Sequence, residues 1–99
     1  MDAPWFAKYP KGIPHEIGPY EYESLIELFD EAVQKFPNRV AFENFGKQIT
    51  FSEVDKHSTS FAAYLQNELK LKKGDRIAIQ MPNLIQFPIA FMGAIKAGL

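Results

Sequence analysis

The sequence contains no cysteine, which excludes a disulfide framework and any thiolate-bound metal. It lacks charge bias. Eleven Lys and Arg against twelve Asp and Glu leave a formal net charge of −1, so no basic field recruits nucleic acid, and no nucleic-acid partner is expected. The six glycines, Gly12, Gly18, Gly46, Gly74, Gly93 and Gly98, are dispersed. No glycine-rich loop is therefore available to cradle phosphates, and the G-x-S-x-G and H-E-x-x-H patterns are also missing. The longest apolar stretch, residues 84–95, falls short of the roughly 20 residues that cross a bilayer as a helix. The N-terminus shows no basic region followed by an apolar core, so a secretory signal is not expected. Together these absences predict a cytoplasmic protein.

What is present suits a folded domain. Hydrophobic residues make up 46% and charged residues 23% of 99 residues, enough for one small domain. Residues 1–23 carry Pro4, Pro10, Pro14 and Pro19 among Trp5, Phe6, Tyr9, Ile13, Ile17 and Tyr20. Proline fixes φ and removes a donor, so this stretch is predicted to be an extended strap. Such a strap packs across its own protein or anchors at a membrane interface, peripheral to the inner membrane; the prolines favour packing because they prevent an amphipathic helix.

The domain proper is predicted over residues 24–99. Ser24 with Glu27 forms a capping box for a first helix. Leu25, Leu28, Phe29, Ala32, Val33 and Phe36 share its apolar face, and Pro37 ends it. Val40-Ala41-Phe42-Glu43 and Gln48-Ile49-Thr50-Phe51 read as a hairpin turned at Gly46. Ser52, with Asp55, is predicted to cap a second helix whose buried stripe runs through Val54, Phe61, Ala62, Leu65 and Leu69. Arg76-Ile77-Ala78-Ile79-Gln80-Met81 reads as a strand buried on both faces. Residues 83–97 read as a crossover helix that is apolar nearly all round, with Pro88 in its first turn. The fold class is thus α/β: strap, helix, β-hairpin, helix, strand, helix. A βαβ crossover exists to deliver a second parallel strand, here expected after Gly98. The sheet is incomplete, which predicts a larger protein and an open edge prone to self-association.

Few residues invite a chemical reading. His15 and His57 lack a carboxylate-rich partner motif and read as structural or solvent-facing. Lys70, Lys72 and Lys73 cluster where cations favour a helix C-terminus; a solvated helix end outweighs a phosphate or anionic-membrane contact. Glu21 and Glu23 read as surface. No catalytic, cofactor-binding or metal-ligating residue is expected within these 99.

Several runs carry a resemblance. Trp5…Tyr9-Pro10-Lys11-Gly12-Ile13-Pro14-His15-Glu16-Ile17, Ser24-Leu25-Ile26-Glu27-Leu28-Phe29 and Phe36-Pro37 resemble the opening of bacterial long-chain acyl-CoA synthetases. Ile49-Thr50-Phe51-Ser52-Glu53-Val54 is similar to the first core motif of acyl-adenylate-forming (AMP-binding) enzymes, with Phe51 for Tyr and Val54 for Leu. Phe61-Ala62-Ala63-Tyr64-Leu65-Gln66, the run from Leu71 to Ala78, and Met81-Pro82-Asn83 match the same family. Ile95-Lys96-Ala97-Gly98 looks like the start of its second core motif.

The resemblance implies the N-terminal fragment of a long-chain fatty acid–CoA ligase that uses ATP, Mg²⁺ and coenzyme A to activate a fatty acid substrate. The family's phosphate loop, adenine-side motif, hinge residue and C-terminal lysine all lie beyond position 99, so the fragment is expected to be inactive. Thr50 and Glu53 would organise the hairpin-to-helix junction without a catalytic role. Two other readings stay open: another adenylate-forming ligase, for a medium-chain or aryl acid, and a small non-enzymatic interaction module.

Overall fold

The computed structural model describes residues 3–99. A short 3₁₀ turn, Pro4–Lys8, precedes α1 (Leu25–Lys35), β1 (Val40–Asn44), β2 (Lys47–Thr50), α2 (Phe51–Asn67) and α3 (Gln86–Lys96).

The strap is not wholly extended, as predicted, because Pro4 sits in the first turn of the 3₁₀ segment, where a missing N–H costs nothing. Gly12, at φ +91°, then turns the chain, with the Ile13 N–H donating to the Pro10 carbonyl at 3.1 Å. This brings His15 onto Phe6, their rings stacked 4.2 Å apart, with Tyr9 edge-on at 5.3 Å. The strap aromatics pack on one another rather than across the domain. Trp5 stays 55% exposed and Ile17 86% exposed.

α1 begins where the sequence places it. Ser24 Oγ accepts from the Glu27 N–H at 3.1 Å, while the Glu27 carboxylate accepts from the Glu23 N–H, so the return bond lands one residue earlier than in a strict box. The helix stops at Lys35, ahead of Pro37, as the restriction before proline demands. Its apolar face is laid out as expected yet holds no buried residue.

β1 and β2 pair antiparallel, Asn44 opposite Lys47, around a two-residue turn. Both turn residues have positive φ, Phe45 at 50° and Gly46 at 80°. This primed geometry matches the twist of hairpin strands.

The cap of α2 differs from the predicted one. Thr50, not Ser52, is the N-cap. Its Oγ1 accepts from the Glu53 N–H at 3.2 Å, and the Glu53 carboxylate accepts from the Thr50 N–H at 2.9 Å, a complete capping box. Ser52 lies inside the helix with its Oγ 3.2 Å from Thr50 Oγ1. The linker after α1 supplies two more acceptors. Arg39 O takes the Phe51 N–H at 3.1 Å and Pro37 O takes the Ser52 N–H at 3.0 Å. Helix starts strand at most four free N–H groups; here those of Thr50, Phe51, Ser52 and Glu53 are all satisfied. Thr50→Ala should therefore cost about 1 kcal/mol, and Ser52→Ala only a few tenths by the ordinary allowance for such surface changes. Denaturant midpoints of the two variants decide it, and equal losses would mean the cap is misplaced.

α2 ends at Asn67, which leaves Leu69 49% exposed rather than in the buried stripe. The core lies between α2 and α3. Ala62, Leu65, Ala94 and Ala97 form its centre, with Phe61, Leu71, Ile77 and Leu99 packed against it. Residues 76–81 do not form the predicted strand, because a strand is defined by its partners and the only sheet among the described residues is β1–β2. Their alternation survives on one face. Ile77 and Ile79 are half-buried and Ala78 and Gln80 exposed, so the predicted cover on both faces is absent.

Candidate functional site

Chemistry needs either a pocket or a cluster of polar groups, and the described residues offer a groove and two polar clusters. The pocket is a groove of about 520 Å³ between α1, the hairpin and the start of α3. Phe29 of α1, Phe42 of β1 and Phe51 of α2 form one wall, and Leu84, Phe87 and Phe91 form the other. Phe87 and Phe91 fall four apart on α3, which stacks their rings 6.1 Å apart. Polar groups enter only at Glu43, Asn44 and Asn83, with Asn44 Nδ2 donating to the Asn83 carbonyl at 3.4 Å. Such a lining suits hydrocarbon or an apolar protein face. No lysine or arginine reaches it, so it does not fit a nucleotide triphosphate, whose charge calls for cations or a nest of N–H donors.

The polar cluster is centred on Lys96. Its ammonium donates to Asp55 Oδ1 at 2.6 Å, Thr59 Oγ1 at 2.9 Å and the Asp55 carbonyl at 3.3 Å, and lies 5.3 Å from the centre of the Phe29 ring. The Lys96 side chain is 14% exposed and that of Asp55 40%. All three of its N–H donors are occupied, so this amine is a tie between helices rather than a poised nucleophile or base. The sequence reading set Lys96 in a core motif but named no partner for it. Asp55 and Thr59, four apart on α2, present their side chains on one face.

A second cluster lines the outer side of α1. The Tyr22 phenol is hydrogen-bonded to the Glu31 carboxylate, and that bond, with added desolvation, pushes it up to about 12. Lys35, hydrogen-bonded and ion-paired to Glu31, holds that carboxylate below its usual value and is itself raised. These groups are exposed, so they contribute little to stability.

The structure separates the residues weighed from sequence. His15 is a packing residue of the strap. His57 is exposed on α2, and Lys70, Lys72 and Lys73 are exposed beyond its end, with Lys70 at φ +54°. Among the described residues no three His, Asp or Glu side chains gather in a way that could hold a metal ion. Thr50 and Glu53 do organise the hairpin-to-helix junction.

Comparison with known proteins gives these features a context. A family model described as AMP-binding enzyme matches residues 29–99. The chain is 48% identical over all 99 residues to a long-chain-fatty-acid–CoA ligase of Haemophilus influenzae and 44% identical over the same span to one of Escherichia coli O157:H7. It is 37% identical over 95 residues to one of Bacillus subtilis. It spans 18% of the length of the first two relatives and 17% of the third. No solved structure matches it significantly. The match through the hairpin, α2 and α3, together with full-length identity to these relatives, establishes that the chain belongs to the AMP-binding enzyme family.

Proposed function

We propose that these residues are the N-terminal part of an ATP-dependent long-chain fatty acid–CoA ligase. The observation that carries the reading is 44–48% identity across all 99 residues to ligases of that name. In such a reaction a fatty acid carboxylate attacks the α-phosphate of ATP, with Mg²⁺ present, and releases pyrophosphate. The coenzyme A thiol then attacks the acyl-adenylate, forms the thioester and expels AMP. Activation is needed because a free carboxylate is a poor acyl donor, and holding several anions together requires placed positive charge. The described residues do not fit ATP or Mg²⁺: the groove has no cation, and among them no acidic triad is present. No step of the reaction is therefore assigned to them. Their part is structural, to set the hairpin, α2 and α3 in one fixed arrangement.

The test uses protein of the relatives' full length alongside the 99-residue chain. With palmitate, ATP, Mg²⁺ and coenzyme A, the full-length protein should form AMP and palmitoyl-CoA, and hydroxylamine should trap the acyl-adenylate. The 99-residue chain should release pyrophosphate no faster than a blank. AMP formation driven only by a medium-chain or aryl acid would replace this reading with another branch of the family.

A further inference from the structure

We draw no further inference here: the strongest candidate, the aromatic groove between α1, the hairpin and the start of α3, is an unpartnered apolar face, and nothing in the structure shows what covers it.

Discussion

Gly93→Ala should destabilise the chain by about 2 kcal/mol, although alanine gains about 1 kcal/mol of helix propensity over glycine. The reason is the approach of α3 to α2. A Cβ built on Gly93 would stand 2.7 Å from Phe61 Cδ1 and 2.9 Å from the Ser58 carbonyl oxygen. The Phe61 ring can swing aside, but the Ser58 carbonyl is helix backbone and moves only with α2. Ser58 itself is completely buried at this crossing, its Oγ donating to the Asp55 carbonyl at 3.0 Å. Forcing atoms into such a contact costs about 1–3 kcal/mol by overpacking alone, and more when backbone must shift. Gly93→Leu should therefore separate the two helices and abolish the cooperative transition. Gly18→Ala is the control, since its Cβ meets nothing within 4 Å. Urea melts of the three variants give the answer, and a Gly93→Ala midpoint equal to the parent's would mean that the helices do not cross this closely. Adding Phe61→Leu to Gly93→Ala should restore little, because the carbonyl remains.

Lys96→Met should cost about 2 kcal/mol. Methionine keeps the apolar stem but removes the ammonium that binds Asp55 and Thr59 on α2 and sits over Phe29 of α1. Breaking a fully buried pair costs about 3–5 kcal/mol because the orphaned charge stays dry. Asp55 is 40% exposed, so water recovers part of the loss. Lys35→Met provides the contrast. Its pairing with Glu31 is on the open face of α1, with the lysine side chain 60% exposed, and its removal should leave the denaturant midpoint essentially unchanged. A double-mutant cycle of Lys96→Met with Asp55→Asn isolates the pair. A coupling near zero would reduce Lys96 to a packing residue.

The elements built from local signals were legible in the sequence. Ser24 with Glu27, Pro37 after α1, Gly46 in the hairpin and the α2 stripe through Val54, Ala62 and Leu65 each act within a few residues. What failed was decided by something further away or by a residue in two roles. Thr50 closes the ladder opposite Val40 and also caps α2; read as a strand residue, it left the cap to Ser52. The run at 76–81 has a strand's alternation but no strand beside it among the described residues. Leu69 was placed by extending a period past the helix end, where Lys70 takes a left-handed turn. The groove could not be read at all. Its walls come from positions 29, 42, 51 and 84–92, and no spacing rule links residues that meet only through the tertiary fold. The Lys96 tie was hidden for the same reason, though an isolated lysine on an otherwise apolar helix was itself a signal that a partner waited.

The crossing at Gly93 also sets an order of events during synthesis. A hairpin with a two-residue turn forms in about 1–10 μs, and the groups that satisfy the start of α2, from Pro37, Arg39, Thr50 and Glu53, all lie at or before its first turn. Both can be complete while the ribosome, adding about 5–20 residues per second, is still making the residues after Asn67. Over that interval of about a second or more, the face of α2 at Ser58 and Phe61 has nothing to meet. The close crossing at Gly93 thus forms only once α3 has been made. While it is missing, that face is open to any chaperone or neighbouring nascent chain that reaches it before α3 does.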